Sequence, residues 1–134
     1  MTSGNSTSIS RVLYVEDDPD IRAIAEIALQ EVGGLEAALC ESGAVAVETA
    51  PGFDPELFLL DVMMPGMDGP TTLKALRELD GMAEVPVIFM TARLQSSEIR
   101  EYRELGALGV IPKPFDPMTL SDQIAEMLRD ARSY

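Results

Sequence analysis

Histidine and tryptophan are absent from the chain, cysteine occurs once, and lysine and arginine number only 10 against 23 aspartates and glutamates. Without histidine there is no histidine general base, no Ser/His/Asp triad, no His-ligated zinc and no phosphohistidine carrier. Cys40 has no second cysteine to pair with and lies in an apolar stretch, so a reduced, cytoplasmic setting is expected. A formal charge of -13 disfavours direct binding to nucleic acid or to an anionic membrane, which leaves protein surfaces and cations as the expected partners. No apolar run approaches the roughly 20 residues that span a bilayer, and the Ser/Thr-rich start has neither a basic opening nor an apolar core, so membrane insertion is not expected. Residues 1–9 are expected to be a disordered tail, followed by one folded domain over 10–131. A chain of 134 residues can bury roughly two thirds of its unfolded surface without disulfides or structural metal.

What is present is an alternation. Arg11 to Val15 is a short β-rich run that exits into Glu16, Asp17, Asp18, Pro19 and Asp20. Pro19 and Asp20 suit the first turn of a helix, and Ile21, Ile24, Ala25, Ala28, Leu29 and Val32 fall on one stripe at helical spacing, closed by Gly33 and Gly34. Leu35 to Cys40 reads as a weaker strand, Gly43 to Ala50 as a short helix, and Pro51 to Pro55 as a loop. Leu57 to Leu60 is a continuous apolar run, as in a central parallel strand buried on both faces, and Asp61 stands at its end. After the turn Met64 to Gly69, a helix from about Pro70 carries Leu73, Leu76 and Leu79. Val85 to Met90 reads as a fourth strand with Pro86 near its start, exiting at Thr91 and Ala92. A polar helix follows from about Ser96 to Leu105, then a strand Ala107 to Ile111. The last helix, about Pro117 to Arg129, is expected to bury Leu120, Ile124, Met127 and Leu128. Five strands alternating with five helices predict an α/β fold: one five-stranded parallel sheet with helices on both faces.

In such a sheet, ligands bind where the strands end. The ends here hold Glu16 and Asp17, Asp61, Thr91 and Lys113. Singly, each has an ordinary explanation: acids ahead of a helix cap it, and a lone lysine is usually a solvated surface group. Together they describe a pocket. Three carboxylates brought close repel, each pair about 4 Å apart by about 4 kcal/mol at an effective dielectric near 20, and a divalent cation relieves this. All-oxygen ligands with positions left to water suit Mg²⁺ or Mn²⁺. Lys113 and Thr91 would then bind the oxygens of a phosphoryl group carried by Asp61 as nucleophile.

The stretches VLYVEDDPDIR, LLDVMMPGMDG, IFMTA and IPKPF, in this order and spacing, resemble the receiver domain of bacterial two-component response regulators over about Arg11 to Arg129. The resemblance implies a (βα)5 flavodoxin-like receiver fold and phosphorylation of Asp61 by a histidine kinase or a histidine phosphotransfer protein. It implies Mg²⁺ held by Asp17, Asp61 and the Met63 backbone carbonyl, with Glu16 acting mostly through water, and Thr91 and Lys113 gripping the phosphoryl group. It further implies a cis bond between Lys113 and Pro114. With the chain ending soon after the fifth helix, no output domain is expected. The expected molecule is a stand-alone receiver, not a separate enzyme, that works by phosphorylation-dependent protein–protein contact through its fourth helix, fifth strand and fifth helix.

Two departures qualify the resemblance. Many receivers carry an aromatic residue in the fifth strand that swings inward on activation; here the position is Val110, and Tyr102 on the fourth helix is the substitute considered. Tyr102, Ile99 and Val110 are also candidates for a homodimer contact. Met63 and Arg93, two residues beyond Asp61 and Thr91, flank the path of hydrolytic water in the family, so a bulky Met63 is expected to lengthen the life of the phosphate. Rival readings are a phosphorelay intermediate, a phosphorylation-independent interaction module, a metal-dependent phosphatase and a flavin-binding protein. The phosphatase lacks its second acid at Met63, and the acidic EDDPD loop would repel a flavin phosphate.

Overall fold

The computed structural model describes residues 9–93 and 95–132. The elements run β1 (Arg11–Val15), α1 (Pro19–Glu26) with a π-helical continuation (Ile27–Val32), β2 (Glu36–Cys40), α2 (Gly43–Phe53), β3 (Leu57–Asp61), α3 (Gly69–Arg77), β4 (Val87–Thr91), α4 (Ser96–Glu104), β5 (Ala107–Pro112) and α5 (Leu120–Arg132). All strand pairings are parallel, in the order β2-β1-β3-β4-β5. The predicted α/β sheet with helices on both faces is the observed one.

Side chains alternate across each strand, so the sheet divides the core in two. Leu13, Val15, Phe58, Leu60, Val87 and Phe89 pack beneath α2, α3 and α4. Val12, Tyr14, Leu57, Leu59, Ile88, Met90 and Ile111 pack beneath α1 and α5, against Ala25, Leu29, Ile124 and Leu128. β3 and β4 are buried at every position, which is why they read as unbroken apolar runs.

The helix boundaries differ from the sequence reading at several points. In the predicted stripe of the first helix, Ala25, Ala28 and Leu29 are buried, but Ile24 and Val32 are 44% and 38% exposed. The wider π turn beginning at Ile27 breaks the 3.6-residue phase that would have turned Val32 inward, while Ile24, ahead of it, lines an open cleft with Pro114 and Phe115. α2 continues through Pro51 to Phe53 instead of stopping at Ala50; the missing amide costs only one bond in its last turn, and Asp54, at φ 57, ends it. β4 begins at Val87, with Pro86 contributing only its carbonyl to the Phe58 amide. α5 begins at Leu120 because Asp116 organises a separate turn, accepting from the Met118, Thr119 and Leu120 amides. Met127 is half-buried, lying across Gly109 of β5. The expected tail lies outside the described residues except for Ile9, which packs on the core; the domain then starts at Ser10, whose amide donates to Glu56 Oε1 at 2.7 Å.

Candidate phosphoacceptor pocket

The pocket is assembled at the carboxyl ends of β1, β3, β4 and β5. Tyr14, Leu59 and Ile111 share one face of the sheet, and two residues beyond each stand Glu16, Asp61 and Lys113. The same alternation that buries the apolar residues therefore brings these three together. Lys113 Nζ lies 2.8 Å from Glu16 Oε1 and 3.1 Å from Asp61 Oδ2. Glu16 and Asp61 are buried at 1% and 3% exposure, while Asp17 is exposed. Carboxylate oxygens of Glu16, Asp17 and Asp61 lie within 4.8 Å of one another. Two neighbouring acids are thus separated by role: Asp18 caps α1, accepting from the Asp20 and Ile21 amides, and leaves Asp17 free at the pocket's mouth.

The electrostatics follow from that crowding. Burial, and then the charge of Glu16, raise the Asp61 carboxyl from its ordinary 3.8 to about 6, with Lys113 pulling the other way. Burial opposes the charge on Lys113, yet its hydrogen bonds to Glu16 and Asp61 prevail and hold its pKa above the usual value. Three carboxylates and one ammonium leave a net excess of negative charge, and the donor set is all oxygen with one ligand facing solvent. These residues fit a hard divalent cation.

Thr91 is buried at the tip of β4, its Oγ1 accepting from the Arg93 amide at 3.0 Å. Its hydroxyl proton remains available as a donor. Met63 and Arg93 are exposed at the loop positions expected of them, Met63 by 68%. The Lys113–Pro114 bond is cis. Gly69, which begins α3, sits so close to the end of β3 that a Cβ there would lie 2.7 Å from the Asp61 carbonyl, so only glycine lets the loop after Asp61 fold back this tightly.

Tyr102 requires correction as a surface group. It is 6% exposed, its ring 5.2 Å from that of Phe89 and tilted by 46°. It belongs to the core beneath α4, and Ile99 and Val110 are half-buried.

Two residues that shape the pocket went unnoticed in the sequence. Arg22 donates from Nη1 to the Glu16 and Asp17 carbonyls at 2.8 and 3.0 Å, fixing the backbone of the acidic pair. Tyr14, fully buried, donates its hydroxyl to Glu16 Oε1 at 3.3 Å. The available signal was positional: Tyr14 stands two residues before Glu16 on the same strand face, and Arg22 one helical turn beyond Asp18.

Comparison with known proteins agrees with this geometry. The chemotaxis protein CheY4 of Vibrio cholerae superposes with a TM-score of 0.82 at 28% identity, over 90% of this chain and 99% of that one. A signal receiver domain of a signal transduction histidine kinase from Syntrophus aciditrophicus superposes with a TM-score of 0.75 at 26% identity, over 94% and 95%. The transcriptional regulatory protein CseB of Streptomyces coelicolor is 36% identical over 90% of this chain and 50% of its own length. The DNA-binding response regulator MtrA of Mycolicibacterium smegmatis is 32% identical over 92% and 52%. The chain thus spans about half the length of the curated relatives it matches. With residues 12–125 matching the response regulator receiver domain, and the acids, threonine and lysine of its motifs gathered at one end of a five-stranded parallel sheet, the chain belongs to the response regulator receiver family.

Proposed function

We propose that this chain is a phosphorylation-dependent switch in which Asp61 receives a phosphoryl group from a histidine kinase or a histidine phosphotransfer protein. The observation that carries the reading is that Lys113 pairs with both Asp61 and Glu16 while an Asp17 oxygen lies within 4.8 Å of their carboxylates, with Thr91 at the adjoining strand tip. In the transfer, an Asp61 carboxylate oxygen forms a bond to phosphorus while the donor's P–N bond breaks, and the imidazole leaves with the bonding pair. Asp61 must be ionised to attack, which the neighbouring Lys113 ammonium favours and burial opposes. Lys113 then has new phosphoryl oxygens to bind, and Thr91 offers its hydroxyl proton to another. When bound, Mg²⁺ (or Mn²⁺) supplies positive charge that lowers the repulsion between the carboxylates and the incoming phosphoryl oxygens; Asp17, Asp61 and the Met63 carbonyl would hold it, with Glu16 close by.

The group acted on is the chain's own side chain, so we assign no enzymatic activity toward a separate substrate. The output is a changed face, formed by α4, β5 and α5, presented to a protein target. A phosphoryl group adds roughly 1.5 to 2 negative charges and three acceptor oxygens, enough to reorder the loop after Thr91. We take the stand-alone arrangement and a cytoplasmic location as part of the proposal. Among the described residues, no helix is long and apolar enough to cross a membrane. Intact mass after incubation with Mg²⁺ and acetyl phosphate tests the reading. One phosphoryl addition is expected, absent when Mg²⁺ is left out and absent in Asp61→Ala; an addition that survives in Asp61→Ala would overturn it.

A further inference from the structure

Tyr14 is the one polar group in an otherwise apolar strand interior, and its hydroxyl meets the pocket from below. A phenol facing a carboxylate donates. Glu16 Oε1 therefore receives two donors, Tyr14 at 3.3 Å and Lys113 at 2.8 Å, while Oε2 receives the Asp18 amide at 3.2 Å. A carboxylate has about four acceptor positions, so three of the four on Glu16 are committed before any cation arrives. Among the described residues, the cation paired with Asp61 is Lys113, and Asp17 faces solvent. The two sides of the acidic pair are thus unequal in what they have left to offer.

We propose that Tyr14 is a positioning residue for the pocket: its hydroxyl takes up part of the charge of the Glu16 oxygen that it shares with Lys113, so that Glu16 keeps the lysine in place without holding it fast and the cation is left to Asp17 and Asp61. The inference rests on the reading of the pocket as a Mg²⁺-dependent phosphoacceptor. Removing the hydroxyl has two opposed consequences. Glu16 loses a donor that disperses its charge, so it attracts a cation more strongly. It also grips Lys113 more strongly, so the lysine is slower to leave for the phosphoryl group.

Tyr14→Phe keeps the ring that fills the core and removes only the hydroxyl. Calorimetric titration should show Mg²⁺ binding about fivefold tighter, and the rate of acetyl phosphate labelling at saturating Mg²⁺ should fall about fivefold, the size of one modest hydrogen bond. A role in packing alone would lower the melting temperature and leave the Mg²⁺ affinity where it was. In a Glu16→Asp background, where the shortened carboxylate falls away from the phenol, adding Tyr14→Phe should change neither value. Unchanged or weaker Mg²⁺ binding in Tyr14→Phe, or the same effect in the Glu16→Asp background, overturns the assignment. A native protein that neither binds Mg²⁺ nor takes phosphate overturns the reading of the pocket itself, and is told apart because no variant is needed to see it.

Discussion

Asp61 is held in a place that suits its chemistry and not its stability. Its folded pKa of about 6 lies above the ordinary 3.8, so the native state binds a proton more tightly than the unfolded chain between those values. In metal-free protein, stability therefore falls as pH rises through about 4 to 6, and stays reduced above. Asp61→Asn should raise stability in EDTA at about pH 7.5 by about 1 to 3 kcal/mol, with the gain shrinking as pH falls toward about 5. Urea melts at the two pH values check this; a less stable variant at about pH 7.5 would show that the Lys113 contact outweighs the repulsion. The residues whose chemistry lies in motifs, Asp61, Lys113, Thr91 and the acidic pair, were legible in the sequence because each ends a strand. Tyr14 and Arg22 were not, because their roles are seen only once Glu16 is known to turn inward and the β1–α1 loop to close over its own carbonyls.

At the scale of elements, strands were easier to read than helix ends. A strand buried on both faces has one appearance, an apolar run, and β3 and β4 matched it. Helix ends depend on local bonds that leave no periodic trace. The π turn after Glu26, the passage of α2 through Pro51 and the Asp116 turn ahead of α5 are of this kind. The connection between α3 and β4 shows how such segments are held. Arg77 Nη1 lies 3.4, 3.1 and 2.6 Å from the carbonyls of Met82, Ala83 and Val85, tying that loop to the end of α3. Arg77→Met leaves these acceptors unserved by a charged donor, and should cost about 1 to 3 kcal/mol in urea unfolding. Labelling of Asp61 at saturating Mg²⁺ should persist, since the loop lies at the other end of the sheet; a variant as stable as the native chain would mean that solvent replaces the guanidinium without loss.

For the molecule as a whole, charge and topology pull in different directions. A formal -13 spread over one small domain repels itself, and the pocket concentrates part of that excess. Screening should help the fold: raising NaCl from about 20 to about 500 mM should lift the melting temperature of metal-free protein by about 2 to 5 °C. A fall would show that exposed pairs such as Arg11 with Asp54 matter more than the net repulsion. Topology, by contrast, places every group of the pocket at one end of the sheet. The opposite end is made of corners such as Gly34 and Gly81, both at positive φ, with nothing near the outward side of either. Those corners are natural grafting points: a fluorescent reporter or an affinity handle spliced in at Gly81 would ride on the side of the domain away from any kinase, making the chain a scaffold for reading out its own phosphorylation.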